Sequence, residues 1–235
     1  MNKYFCHISI FVIAIAFTSC KKNIVQAPSS FTLYVVNAGI GVAEVQTNFT
    51  TTPLVPYGAR NIYYVQSDQT IVMADSANPT AYLLNKNLGY SSGVYTIFIT
   101  GQATALNTIV KAEADLPFIA GDKIYTSTDS IVNIRFANLS PNSVPLKIKI
   151  ATATTNEVDD LPYKNISTWR AYKATATTAN YSLQIRDAVT DALLATYTFT
   201  ANATNRFKNV TLMIKGLQGT TTGTNAFGVA PINYF

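Results

Sequence analysis

The residue types that most often bind metals or act as nucleophiles are concentrated at the start of this chain. Its two cysteines, Cys6 and Cys20, and its one histidine, His7, all lie within the first 20 of 235 residues. Thiolate and imidazole groups supply most zinc ligands and many nucleophiles and bases. If the first 19 residues are removed as a leader, only Cys20 remains. We therefore expect no metal, no cofactor and no catalysis by cysteine or histidine.

One serine has the local sequence of a hydrolase nucleophile. Gly89-Tyr-Ser-Ser-Gly93 matches the G-x-S-x-G pattern, with Ser91 as the nucleophile. That pattern requires a strand–turn–helix setting and a histidine base. The segment that follows, Val94-Tyr-Thr-Ile-Phe98, is typical of a strand instead. We interpret residues 89–93 as a hairpin turn and predict that the protein is not an enzyme.

The only acidic cluster consists of Glu157, Asp159 and Asp160, beside Asn156. Calcium sites need several oxygen ligands at regular spacing, which this cluster does not have. We interpret it as a solvated loop, with a weak calcium site as the alternative.

Aromatic residues near the middle of the second half offer a different kind of site. Trp169 is the only tryptophan, and Tyr172 follows three residues later. Exposed aromatic rings can stack on sugars, so Trp169 and Tyr172 are candidate glycan contacts. The alternative, which we favour, is that Trp169 packs in a core or at a sheet edge.

The elements that position these residues begin with a leader. Met1–Lys3 carries one positive charge, and the apolar run Ile8–Phe17 spans about 15 Å as a helix, too short for a bilayer core of about 30 Å. A charged start, a short apolar run and small residues at the end indicate a signal peptide over residues 1–19.

The end of this leader resembles a lipobox, the recognition site of bacterial lipoprotein signal peptidase. Phe17-Thr-Ser-Cys20 carries the resemblance, with Phe17 where Leu is usual, as in lipoproteins of the Bacteroidota. The resemblance implies cleavage before Cys20, lipidation of its sulfur and a lipid anchor in the outer membrane. A plain signal peptide with an incidental Cys20 is the alternative. Residues 20–30 would form a tether, and Lys21 and Lys22, in place of acidic residues, favour the periplasmic face over the cell surface.

A separate short motif suggests two modification sites. Asp75-Ser-Ala77 and Asp129-Ser-Ile131 fit the short D-[ST]-apolar motif of O-glycosylation in the Bacteroidota. Ser76 and Ser130 are therefore candidate O-glycosylation sites.

The remainder of the chain repeats itself, with four matches in the same order. They are Leu33–Gly39 with Ile134–Ser140, Val55–Tyr57 with Leu161–Tyr163, Ile71–Asp75 with Leu183–Asp187, and Tyr95–Gly101 with Val210–Gly216. Apolar and polar residues alternate within segments of these modules such as Val132–Phe136, Leu146–Ile150, Leu193–Phe199 and Val210–Ile214, which indicates strands with one buried and one solvated face. We predict an all-β fold of two tandem immunoglobulin-like β-sandwich modules, residues 31–119 and 120–235, with about seven strands each.

Basic residues outnumber acidic residues by five, but they are scattered rather than clustered. Most fall at alternating strand positions, Arg135 among them, and we interpret them as solvated strand faces. A nucleic-acid-binding protein should show a clustered basic stripe, so no nucleic-acid partner is expected.

The second module resembles the domain-of-unknown-function 4397 family. The run Ile131–Pro141, with its Asn138-Leu-Ser-Pro141 ending, and the following Val144–Ile148 carry the resemblance, together with the later strand 208–216. Residues 31–117 look like a diverged copy. The family implies an extracytoplasmic β-sandwich without established activity.

These expectations combine into one function and one alternative. We predict a non-catalytic cell-envelope lipoprotein, anchored through Cys20, that acts as a structural, adhesive or binding module toward an envelope protein or glycan. The alternative is a glycan-binding surface lipoprotein of a nutrient-uptake system.

Overall fold

The protein is built from β-strands throughout the part that the structure describes. The computed structural model describes residues 29–49, 54–102, 105–118, 130–175 and 179–234. These residues form sixteen strands in four sheets, and none of them is helical, which confirms the all-β prediction. Nor do these residues contain a helix that could cross a membrane.

The first sandwich consists of eight strands in two four-stranded sheets. The sheet orders are β4-β1-β7-β8 and β3-β2-β5-β6, and only the β1–β7 pairing is parallel. The strands are β1 (Ser30–Asn37), β2 (Glu44–Thr47), β3 (Val55–Pro56), β4 (Arg60–Gln66), β5 (Thr70–Asp75), β6 (Asn78–Asn87), β7 (Val94–Gln102) and β8 (Ala105–Ala112).

The second sandwich repeats this topology strand for strand. Its sheets are β12-β9-β15-β16 and β11-β10-β13-β14, again with one parallel pair, β9–β15. The strands are β9 (Ile131–Asn138), β10 (Leu146–Ile150), β11 (Asn156–Leu161), β12 (Arg170–Lys173), β13 (Ala179–Asp187), β14 (Leu193–Ala201), β15 (Asn209–Lys215) and β16 (Gly228–Tyr234). Two β-sandwich modules are therefore confirmed. Each module has eight strands rather than the predicted seven. Immunoglobulin-like sandwiches share a two-sheet architecture, although their strand order can differ.

The buried asparagines that end β1 and β9 show how closely the copies correspond. Asn37 Nδ2 donates to the carbonyls of Val42 and Val55, and its Oδ1 accepts from the Gly39 N–H. Asn138 makes two of these contacts in its own module, donating to Leu161 O and accepting from the Ser140 N–H, and its other donation goes to the Ser143 hydroxyl. Val55 and Leu161 are the residues that the sequence repeat pairs. Each asparagine thus satisfies the backbone where the chain leaves the sheet.

Each module has its own core of alternating apolar side chains. Leu33, Val35, Ile97 and others fill the first core, and Ile134, Phe136, Leu212 and others fill the second. Burial of this apolar area is the main stabilising contribution to each sandwich.

A third apolar layer lies between the two modules. It includes Tyr34 and Phe98 from the first module and Met213 and Tyr234 from the second. The sheet containing β1 therefore packs face to face on the sheet containing β9, giving four stacked sheets. Our expectation of one buried and one solvated face is wrong for β1, β7, β9 and β15, most of whose residues are buried on both faces.

The central strands of the two modules point in the same direction along this interface. At the end where β7 and β9 finish, the Thr100 hydroxyl donates to the carbonyl of Leu139. At the opposite end, the Phe118 N–H donates to Asn209 Oδ1, and Asn209 Nδ2 donates back to the Phe118 carbonyl. The predicted boundary between residues 119 and 120 lies outside the described residues, and the exact module boundaries stay predictions.

Candidate functional site

Among the described residues, one ion pair is fully buried, and it lies between the two modules. Arg135 on β9 and Glu113, just after β8, are both buried, and Arg135 is the largest of the fully buried side chains. Its Nη1 and Nη2 donate to the two carboxylate oxygens of Glu113 at 2.7 and 2.6 Å. This bidentate geometry matches the guanidinium fork to the carboxylate. Our interpretation of Arg135 as part of a solvated face is wrong, because the partner module covers that face.

Three hydroxyl groups complete the hydrogen bonding of the pair. Arg135 Nε donates to Thr211 Oγ1 at 2.8 Å, and Nη2 also donates to the Tyr234 hydroxyl at 3.0 Å. Thr96 Oγ1 donates to Glu113 Oε1 at 2.6 Å and lies 3.1 Å from the Tyr234 hydroxyl. The buried charges are therefore surrounded by polar partners, which burial of an ion pair requires. We call Thr96, Glu113, Arg135, Thr211 and Tyr234 the interface network.

Aromatic rings close the network. The guanidinium carbon of Arg135 lies 4.3 Å from the centroid of the Trp169 ring, and the Tyr234 ring stands edge-on to Trp169 at 6.0 Å. Such a cation–π contact is strongest where water is excluded. Trp169 therefore packs at the module interface, as favoured from the sequence.

Burial and the neighbouring groups together determine the charge states of Arg135 and Tyr234. Burial taken alone would lower the pKa of Arg135, but the interactions with Tyr234 and Glu113 outweigh it and the pKa rises. Burial raises the pKa of the Tyr234 hydroxyl. At neutral pH, Arg135 is thus a cation and Tyr234 a neutral hydrogen-bonding group.

At the positions that form the network, the two copies share a threonine but otherwise carry different residues. Tyr34 pairs with Thr96 across β1 and β7, just as Arg135 pairs with Thr211 across β9 and β15. Counting along the neighbouring strands, Glu113 corresponds to Tyr234. Each module therefore presents a surface that complements the other copy rather than itself.

An open cleft of about 600 Å³ lies beside the edge strand β11, where the two modules adjoin. Lys111 of the first module lines it, together with residues 157–161, 164–168 and 170 of the second. Two of the acidic side chains in this cleft have partners: Arg170 lies 3.6 Å from Glu157, and the Asn156 side chain donates to Asp159. The acidic cluster predicted as a loop is in fact strand β11. Within the described residues no group of three or more histidine, cysteine, aspartate or glutamate side chains could hold a metal.

The candidate glycan contacts do not share a surface. Trp169 belongs to the layer between the modules, whereas Tyr172 lies in the core of the second module and is 6% exposed. The Tyr172 hydroxyl donates to Glu157 at 2.7 Å. Burial, followed by that hydrogen bond, raises the pKa of Tyr172. The two rings therefore do not form one platform for a sugar.

The remaining predicted sites fall at strand ends or outside the described residues. Ser76 lies in the turn between β5 and β6, and Ser130 directly precedes β9; both are half-buried. Residues 89–93 connect β6 to β7, which belong to different sheets, so they form a crossover loop rather than a hairpin turn. Cys20 lies outside the described residues.

Sequence reasoning missed the interface network, although a signal was present. Ala137 and Met213 are apolar and lie on the strand faces that we expected to be solvated. Apolar residues on both faces indicate a strand covered on both sides.

Comparison with known proteins finds no family model that matches the chain and no match among curated proteins.

Proposed function

We propose that this protein is a non-catalytic lipoprotein of the cell envelope, held on the outer membrane by lipid attached to Cys20. The observation that carries the proposal is the Phe17-Thr-Ser-Cys20 run at the end of a short charged and apolar leader. Two or more acyl chains hold a protein stably on a membrane, at about 0.8 kcal/mol for each buried methylene group. The resemblance of the second module to the domain-of-unknown-function 4397 family is consistent with this setting and stays a prediction.

The architecture supports a structural or adhesive role for the anchored chain. The first strand begins at Ser30, ten residues after Cys20, so the intervening chain can extend at most about 35 Å. The interface network joins the two sandwiches through buried groups, which favours one stiff unit over two independent modules. A stiff unit on a short tether presents its surfaces at a defined distance from the membrane. We favour the periplasmic face because Lys21 and Lys22 follow the cysteine.

The anchor is tested by Cys20→Ser, with Cys6→Ser in the leader as the matched control. Cells are labelled with palmitate and separated into membrane and soluble fractions. We expect Cys20→Ser to lose the label and leave the membrane fraction, and Cys6→Ser to keep both. A Cys20→Ser protein that stays in the membrane fraction would refute the anchor. Protease treatment of intact cells tests the face, since rapid digestion would place the protein at the surface.

A further inference from the structure

One strand at the edge of the second module lacks the features that keep sheet edges apart. An edge strand presents unpaired backbone N–H and C=O groups, and proteins usually protect it with charged residues or proline. In the described structure the edge strands are β3, β4, β6, β8, β11, β12, β14 and β16. Seven of them contain such a residue: Pro56, Arg60, Pro79 with Lys86, Lys111, Glu157 with two aspartates, Arg170 with Lys173, and Pro231. Strand β14, Leu-Leu-Ala-Thr-Tyr-Thr-Phe-Thr-Ala, has none.

The free edge of β14 is also long and accessible. The strand has nine residues and, within the described part of the chain, pairs only with β13. At its start, Leu193 is 52% exposed, and Val189 in the preceding turn is 85% exposed. Near its end, Asn205 Nδ2 donates to the carbonyl of Thr200, so one edge carbonyl is capped by a side chain. Most of the edge from residue 193 to 199 is left for another strand.

An uncharged cleft adjoins the start of β14. It measures about 530 Å³ and is lined by Leu193, Leu194, Phe227 and polar residues of two loops, none of them charged. The loops are fixed to each other, because Asn142 Nδ2 donates to the Gln218 carbonyl and the Gln218 N–H donates to Asn142 Oδ1. A strand added to β14 would find a preformed, uncharged space for its side chains at this end.

We propose that β14 pairs antiparallel with β14 of a second copy of this chain. Each of the other edge strands would bring a charged side chain or a proline into the new ladder, and both oppose edge pairing. Self-pairing of β14 does neither. Thr196, Thr198 and Thr200 of β14 share the exposed face, whereas Ala195, Tyr197 and Phe199 face the core, and Leu194, at a register shift, also packs against the core. In a twofold register centred on Thr198, threonines would lie opposite threonines, and cross-strand threonine pairs are favourable.

The pairing extends the outer sheet of the second module across the dimer. Four strands from each copy would form one continuous eight-stranded sheet, an isologous contact with twofold symmetry. Tyr197 would gain cover from the partner, because the edge leaves it partly exposed, whereas Phe199 is already buried. The self-association does not depend on the lipid anchor.

The test uses opposite charges at one exposed position. Thr198 is exposed and pairs with Ser182 on β13, so a long polar side chain there disturbs no core packing. Thr198→Lys and Thr198→Glu variants of the full chain are purified in detergent micelles, and their mass is measured by sedimentation. The matched control is Thr80→Lys on β6, an edge strand that already contains Pro79 and Lys86.

We expect the wild-type chain and Thr80→Lys to form dimers. Each Thr198 variant alone should dissociate at least about tenfold more readily, because like charges then face each other across the twofold axis. A mixture of Thr198→Lys with Thr198→Glu should restore dimers, which a folding defect could not do. A monomeric wild-type chain, a dimer that both Thr198 variants leave intact, or a mixture that stays monomeric would each overturn the proposal.

Discussion

Removal of Arg135 alone should destabilise the protein far more than removal of the whole ion pair. In Arg135→Met, an unbranched apolar side chain fills much of the guanidinium volume, so the loss of packing is small. Glu113 is 3% exposed and would keep only the hydrogen bonds from Thr96 and Tyr234. An unpaired buried charge costs about 3–5 kcal/mol, a large share of the roughly 5–15 kcal/mol that stabilises a typical native protein.

The double variant Glu113→Met/Arg135→Met separates the unpaired charge from the loss of contacts. Replacement of a complete buried ion pair by apolar residues is often neutral, so the double variant should regain at least about 2 kcal/mol over Arg135→Met. Thr96 and Tyr234 can still hydrogen-bond to each other, which limits the number of polar groups left without a partner. The expected order of stability is therefore wild type or double variant first and Arg135→Met last.

The measurement is equilibrium unfolding in urea, followed by circular dichroism and by tryptophan fluorescence. Trp169 is the only tryptophan in the chain and lies against Arg135, so its fluorescence reports on the module interface. With a slope of about 2–3 kcal/mol per molar urea, the midpoint of Arg135→Met should fall by about 1–2 M. A shift below about 0.3 M, or a double variant as unstable as Arg135→Met, would contradict the reasoning.

Three further outcomes can be checked by similar means. Asn37→Ala and Asn138→Ala should each lower the free energy of unfolding by about 1–3 kcal/mol, because each variant leaves buried backbone groups without a partner. Clearly unequal losses would argue against equivalent roles of the two asparagines. Gly216→Ala should be destabilising by more than about 1 kcal/mol, because the φ of Gly216 is +85° and a Cβ there would collide with the Ala226 carbonyl. Gly89→Ala is the control: its φ is +67° but the space around it is open, so thermal unfolding should show a smaller loss of stability. Stability should decrease above about pH 10, because the unfolded chain ionises its tyrosines there while Tyr172, whose pKa is raised in the folded state, stays protonated. Tyr172→Phe should weaken this pH dependence when the free energy of unfolding is measured by urea titration at alkaline pH. An unchanged dependence of that free energy on pH would contradict the reasoning.

Much of the fold was readable from local patterns. The period of two in segments such as Val210–Ile214 predicted strands, because alternate side chains of a strand point to opposite faces. The repeat matches placed Asn37 opposite Asn138, and the structure gives these residues two equivalent hydrogen bonds each, to the carbonyls of Val55 and Leu161 and from the N–H groups of Gly39 and Ser140. These features depend on residues close in sequence or on the strict order of the copies, so one chain was sufficient to show them.

The candidate site was less predictable, because it depends on what covers each strand. The sequence alone determined the strands, the repeat and the resemblance of Cys20 to a lipidation site. Only the tertiary structure decided that Arg135 lies in the interior, since its partner Glu113 belongs to the other module and the sheets that carry them meet face to face. The same packing placed Trp169 over Arg135 and left the β14 edge open. Alternation shows that a strand has two faces, but whether the second face contacts water or another sheet is decided by the association of distant segments.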